Sequence, residues 1–339
     1  MKRDRRVTRN PLRRIFGPWA VIFPLLALLG GWASGQDKKD TPVSSFLQSL
    51  KLSGYMQVYG AAWDDGTDTF SLRRARVSLS GEIVKDLRFK LAVDVTKSQP
   101  LLDAAVEFEP VRLAGVRVGQ FAVPFSLEND ASSSDLDLID RAAVVDTLAP
   151  GRDNGSLGRD VGAVLFGGAP WVEYALGFVN GSGIAKADTD SHKDFTGRVV
   201  FKPLRGLALG GSLYRGRQTV AAGAPLVVRN KEGLEAALAI SLVSVKAEYI
   251  HAQDDLVSKS GWYVQAGCFA LPRKIQALLR YEALDLDRAM PGNGTNVTTL
   301  GLNWVIRGKT KLQVNYEIHG LQAGGRAKSG LLAQLQAAF

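Results

Sequence analysis

The sequence predicts an all-β fold: a transmembrane antiparallel β-barrel of about 16 strands with an inward-folded constriction loop, behind an export signal. Three observations predict it. Apolar and polar residues alternate with period two from about residue 50 onward, turn residues interrupt the alternation at short intervals, and the chain ends on an amphipathic strand finishing at Phe339. Successive strand side chains point to opposite faces, so each such strand has one apolar and one polar side.

The N-terminus comes first. Lys2, Arg3, Arg5, Arg6, Arg9, Arg13 and Arg14 precede the apolar run WAVIFPLLALLGGWA at 19–33, and the small residues Ala33 and Gly35 suit cleavage before Gln36. A basic segment, a short apolar core and a small-residue exit make a secretory signal peptide. The run is short of the ~20 apolar residues a membrane-spanning helix needs, which disfavours the alternative of an uncleaved anchor. The expected organisation is a signal peptide at 1–35, a periplasmic lead at 36–50 and the barrel at 51–339. In the lead, Val43, Phe46, Leu47 and Leu50 suggest a short helix. Of the formal charge of +9, residues 1–35 carry +6, leaving only +3 for the body, so no nucleic-acid footprint is present. The single cysteine, Cys268, excludes an intrachain disulfide and a CxxC motif and reads as a packing residue.

The strands follow. Leu87, Phe89, Leu91, Val93 and Val95 oppose Arg88, Lys90, Ala92, Asp94 and Thr96. Ala75, Val77 and Leu79 oppose Arg74, Arg76, Ser78 and Ser80, and Phe195, Gly197, Val199 and Phe201 oppose Thr196, Arg198, Val200 and Lys202. Val243, Val245, Ala247 and Tyr249 oppose Ser244, Lys246 and Glu248, and Leu312, Val314, Tyr316 and Ile318 oppose Lys311, Gln313, Asn315, Glu317 and His319. Turns such as Asp64-Asp65-Gly66, Gly167-Gly168, Asn180-Gly181, Pro291-Gly292-Asn293-Gly294 and Ala323-Gly324-Gly325 separate the runs.

A soluble sandwich and a membrane barrel both accept amphipathic strands. A single run of about 16 favours the barrel, whose even strand number and closure leave no backbone group unpaired in lipid. Tyr55, Tyr59, Trp63, Trp171, Tyr174, Trp262, Tyr263, Tyr281 and Trp304 suit interfacial girdles as well as an ordinary core. At the end of the chain Leu331, Ala333, Leu335, Ala337 and Phe339 oppose Gln334 and Gln336, the form of an outer-membrane assembly signal offered to barrel-assembly machinery.

The longest interruption is residues 124–159. Loops beyond ~12–15 residues without structure of their own tend to be functional or disordered. This one holds Glu128, Asp130, Asp135, Asp137, Asp140 and Asp146 against Arg141, Arg152 and Arg159. Folded into a pore, the two signs would set a transverse field that sorts solutes by charge; the alternative is a solvated surface loop. Phase places Arg74, Arg76, Arg88, Lys90, Arg117, Arg198, Lys202, Lys246, Arg280 and Lys311 on the lumen, with Asp94, Glu107, Glu248, Glu282 and Glu317 as lumen acids. The bases either bind anions through their forks or pair with acids on neighbouring strands. No catalytic or metal motif competes: His192, His251 and His319 lack ligand spacing, Gly181-Ser182-Gly183 lacks the third glycine of a dinucleotide loop, and Asp285 and Asp287 are only part of a Ca²⁺ loop.

The stretches FSLRRARVSLSGEI (70–83), VRVGQFAVPFSLEND (116–130), YALGFVNGSG (174–183), FTGRVVFKP (195–203), GWYVQAGCFA (261–270), RYEALDLD (280–287) and TLGLNWVIRG (299–308) resemble, in order, the phosphate-selective porin O/P family. The resemblance implies a 16-stranded barrel in outer-membrane lipid, a homotrimer, inward-folded loops and a basic pore. Its arginine-rich pore matches here only at Arg73, Arg74 and Arg76, with the loop opened by Gly119-Gln120-Phe121 and Pro124-Phe125. The expected function is passive diffusion of small hydrophilic solutes, with a mild preference for anions such as phosphate; neither an enzyme activity nor a cofactor or metal is expected. The competing readings are a non-conducting structural or adhesive outer-membrane barrel and a secreted carbohydrate-binding β-sandwich.

Overall fold

The computed structural model describes residues 42–66, 68–188, 192–219, 225–321 and 327–339. The signal segment 1–35, most of the lead up to residue 41 and the turn Ala323-Gly324-Gly325 lie outside the described residues. The chain divides into two units, Met1–Ser44 and Ser45–Phe339.

The alternating segments become strands and close on themselves. They are β1 (Lys51–Trp63), β2 (Thr69–Val84), β3 (Leu87–Asp94), β4 (Leu101–Val111), β5 (Ala114–Ala122), β6 (Arg159–Ala169), β7 (Val172–Val179) and β8 (Asp194–Leu204). They continue as β9 (Leu207–Thr219), β10 (Leu226–Ile240), β11 (Val243–Asp254), β12 (Val257–Ala270), β13 (Ile275–Asp285), β14 (Thr295–Arg307), β15 (Thr310–Leu321) and β16 (Lys328–Ala338). Each pairs antiparallel with its chain neighbour, and β1 pairs with β16, giving a closed 16-stranded barrel. The final backbone pair of the seam joins Gly54 and Phe339, 3.1 and 3.0 Å in the two directions.

Residues of one phase cover the outside: Leu91, Leu234, Leu279, Leu300, Leu302 and Trp304 are 42–66% exposed. Lys90, Lys246, Arg280 and Lys311, of the other phase, point inward. Tyr174, Trp262, Tyr281 and Trp304 are on the outer phase, Trp171 in the β6–β7 turn lies 6.0 Å from the outward ring of Phe201, and Trp262 and Tyr281 lie 5.5 Å apart. Tyr55, Tyr59, Trp63 and Tyr263 do not join a girdle. They face inward, where Arg76 lies over Tyr55, Arg73 over Tyr59 and Lys328 over Trp63. Cys268 is likewise no packing residue, because its phase puts it on the exposed outer face.

The two ends differ. The connections β2–β3, β4–β5, β6–β7, β8–β9, β10–β11, β12–β13 and β14–β15 are tight, whereas those at the other end are mostly longer. Short turns face the periplasm in barrels of this kind. The Arg205-Gly206 turn requires glycine: Gly206 has φ +86°, and a Cβ there would stand 2.2 Å from the Ala239 carbonyl oxygen. At this end α1 (Pro42–Ser49), the short helix expected in the lead, sets Phe46 6.2 Å from the outward ring of Phe89, and Ser49 Oγ donates to Glu82 O at 3.1 Å. A four-residue helical turn, α4 in chain order (Leu271–Lys274), joins β12 to β13.

Residues 123–158 leave the long-loop end and fold into the barrel, carrying α2 (Leu127–Asp130) and α3 (Ala143–Leu148). The segment is more ordered than a bare loop, and Arg159 belongs to β6 rather than to it. Val123, Phe125, Val144, Val145 and Leu148 are at most 1% exposed and cluster with inward Tyr214, Ile250, Ala252, Tyr263 and Leu284. Inward glycines make room for them. A Cβ on Gly261 would stand 2.8 Å from Val144 Cγ2, and one on Gly301 2.4 Å from Leu138 Cδ2.

Candidate functional site: the lumen between the inserted loop and the open wall

The loop lies against the half of the wall formed by β9–β16 and is tied there by polar groups. Glu248 on β11 accepts from Leu127 N and Glu128 N at 2.8 and 2.9 Å, and from Tyr263 at 2.8 Å. Glu282 on β13 accepts from Ala143 N at 2.8 Å. These carboxylates thus satisfy orphan N–H groups at the starts of α2 and α3. Deeper in the barrel, Asp137 pairs with Lys246 at 2.5 Å and accepts from Gln265 at 3.0 Å. Its backbone carbonyl accepts from Asn303 and Gln313, and Lys311 donates to the neighbouring Leu136 carbonyl. Arg280 donates to Asp140 O at 2.9 Å. Asp135 reaches the short-turn end, 2.6 Å from Lys309.

Where the loop returns toward β6, Asp153 meets Arg229 at 2.5 Å and Lys231 at 2.9 Å, and the side chains of both bases are at most 2% exposed. Burial alone would favour the neutral acid. The charges of Arg229 and Lys231 and their hydrogen bonds outweigh it and hold the Asp153 carboxyl below the ordinary carboxylate range.

The remaining space lies between the loop and the wall formed by β2–β8. A cavity of about 250 Å³ is bounded by Arg76, Lys90, Arg117 and Arg159 from the wall and by Asp130 and Ser132 from the loop. Cavities toward the short-turn end share walls with it: one shares Arg76, Lys90 and Ser132, the other Arg117 and Asp130.

All ten bases placed on the lumen by phase do face inward. Most are paired: Arg76 with Asp94 at 2.9 Å, Lys90 with Asp103 at 2.9 Å and Arg117 with Glu107 at 2.6 Å. Arg88 meets Glu109, Lys202 meets Glu173, and Arg198 bridges Glu235 at 2.6 Å to the loop's Asp130 at 3.0 Å. Arg74 differs: its one hydrogen bond goes to the Gln57 amide oxygen, at 2.8 Å, and it forms no ion pair with a described residue. Of the loop acids, Asp140 pairs with Arg73, and Asp146 with Arg152 at 2.7 Å; Glu128 accepts from Ala142 N at 2.8 Å. Arg141 is buried and donates to Glu128 O, Ala131 O and Ser133 Oγ, and Arg76 reaches the same Ser133 hydroxyl at 3.2 Å. Arg159 pairs with Asp103 at 2.8 Å. The loop acids are therefore largely spent on wall bases, which weakens the opposed-sign field expected across the constriction.

Five residues escaped the sequence reading. Arg73 enters the lumen through a bulge, since Gln57 pairs with Arg74 and Val58 with Leu72. Arg229, Lys231 and Glu235 share the inward phase of β10, a legible signal. The burial of Asp153 against them has no sequence signal.

A closed 16-stranded barrel with an apolar exterior, a charged interior and a loop folded inside is the architecture of outer-membrane porins. The family model for phosphate-selective porin O and P matches residues 53–217, so the resemblance read from the sequence holds over that span. Among solved structures, the anion-selective porin from Comamonas acidovorans superposes with a TM-score of 0.67 at 17% identity, covering 86% of this chain and 99% of that one. Outer-membrane expressed OmpT of Vibrio cholerae gives 0.60 at 11%, covering 86% and 97%. A trimer form of the in-vitro folded V. cholerae protein gives 0.57 at 9%, covering 86% and 99%. No curated protein sequence matches the chain.

Proposed function

We propose that this porin passes small anions passively, and that Arg74 with its neighbours is the group that attracts them. The observation that carries this reading is a local excess of guanidinium. Arg73, Arg76 and Arg141 lie within electrostatic reach of Arg74, while Asp140 and Asp94 pair with Arg73 and Arg76 rather than with Arg74. Arg74 is thus left without a carboxylate partner among the described residues, beside the paired Arg73 and Arg76, and planar forks of this kind suit oxyanions. The family match and the anion-selective porin among the structural relatives support the same sign. The paired bases elsewhere make the preference mild, and inorganic phosphate is the solute to try first. The trimer form among the relatives supports a homotrimer. Removal of residues 1–35 on export and delivery by assembly machinery reading Phe339 complete the proposal.

The test is a planar-bilayer recording of the mature protein under a KCl gradient, with inorganic phosphate then added. Discrete steps, an anion-signed reversal potential and partial block by phosphate are expected, with the block weakened in Arg74→Gln. A reversal potential of cation sign would overturn the reading.

A further inference from the structure

The short-turn rim carries a second set of bases outside the lumen. Lys85 lies in the β2–β3 turn, Arg205 in the β8–β9 turn, and Arg273 and Lys274 in the β12–β13 connection. All four are exposed, and none forms an ion pair with a described residue. Each turn also carries an apolar residue beside its base. Val84 precedes Lys85, Leu204 precedes Arg205 and Leu271 lies two residues before Arg273; these are 60, 68 and 71% exposed. The opposite end differs in sign, its loops presenting Asp64, Asp68, Asp255 and Asp287.

A base with an exposed aliphatic residue beside it, repeated around the rim of an apolar belt, fits the boundary between hydrocarbon and headgroup. The aliphatic residue enters the hydrocarbon, and the flexible stem carries the cation to the phosphate level. α1 adds an independent observation at the same rim. Its Phe46 rests on the outward ring of Phe89 while Leu47 stays 41% exposed, so this helix lies on the outer wall rather than across the pore.

We propose that Lys85, Arg205, Arg273 and Lys274 form a collar that binds anionic phospholipid headgroups of the periplasmic leaflet. The collar is separate from inward bases such as Arg117, which line the lumen. An acidic periplasmic protein would be sought by charge alone; the flanking Val84, Leu204 and Leu271 favour lipid, because a hydrated protein surface leaves them exposed to water.

The experiment is native mass spectrometry of the full mature protein in detergent micelles doped equally with phosphatidylglycerol and phosphatidylcholine. Retained phosphatidylglycerol is expected to exceed phosphatidylcholine about tenfold, a ratio that falls at high salt. The K85Q/R205Q/R273Q/K274Q variant should lose most of that excess, whereas R117Q, inside the lumen, should keep it. Equal retention of the two lipids by the unaltered protein, or an unchanged excess in the quadruple variant, would overturn the collar. Should the quadruple variant fail to fold, K85Q/R205Q and R273Q/K274Q are read separately, each expected to lose about half; no loss in either would overturn it equally. Single-channel conductance of the same samples reports the pore independently, so failure of the collar and failure of the anion reading are distinguishable.

Discussion

The two halves of the barrel wall carry the same alternating pattern and come to different ends. On β9–β16 the inward bases Arg229, Lys231, Lys246, Arg280 and Lys311 bind the loop and are lost to solute. On β2–β8 the bases Arg76, Lys90 and Arg117 border open space. Strand phase decides which residues face inward; the path of the loop decides which of those meet the solute.

Several substitutions would break or sharpen this contrast. The largest effect is expected on the closed half. Asp153→Asn takes from Arg229 and Lys231 the carboxylate they share in a buried site, leaving Lys231 with Asp254 at 3.3 Å and Arg229 with Asp194 at 3.8 Å; losing one partner of a buried pair costs up to about 3–5 kcal/mol. Limited proteolysis should then cut within 123–158, and conductance steps should grow; an intact loop would contradict the latch. Acid acts on the same contact. Because the folded-state pKa of Asp153 lies below the unfolded value of about 3.9, its contribution is complete above that value and is lost only as pH falls through the lowered folded pKa. Recordings between neutrality and about pH 5 should therefore show no loosening of the loop from this contact, and loosening should set in only at stronger acid.

On the open half, Arg74→Gln removes a charge without freeing a paired acid. A charge-assisted hydrogen bond contributes about 1.5–3 kcal/mol, so phosphate block should weaken about tenfold or more while the loop remains protease-resistant. Gly261→Val presses a side chain onto Val144 and the Ala283 carbonyl. Such overpacking costs about 1–3 kcal/mol, so loop cleavage should rise moderately with ion preference unchanged. Lys202→Gln should matter least. Its partner Glu173 is half exposed, and pairs of that kind contribute at most about 1 kcal/mol, so the reversal potential should hardly move.

Strand number, inward phase and the unusual length of the 124–159 segment were legible because period two is a local property of the chain. The contacts of that segment were not. Glu248 reads as one more lumen acid until α2 lies against it, and Asp137 reads as a constriction charge until Lys246 and Gln265 surround it. Tyr55, Tyr59 and Trp63 stayed open because an aromatic near a strand end suits either face, and here Arg76, Arg73 and Lys328 lie over them on the inner side. Arg73 was hidden by a bulge, which shifts phase by one residue without altering composition. Gly261 and Gly301 offered the one missed clue to the loop's path: glycine inside a strand marks a place where something comes close.

The seam between the first strand and the last gives the loop a part in holding the barrel closed. Gln57 on β1 and Gln336 on β16 bond to each other at 2.6 Å and reach Ser133 O and Ser134 O of the loop at 3.4 and 3.1 Å. Ile139 packs beside Ala61 of β1 and Leu332 of β16. The join between the first strand and the last is therefore made partly through the loop, so the contacts that shut the ring and those that seat the segment are the same contacts. The loop is a clasp across the join, and loosening either would loosen the other.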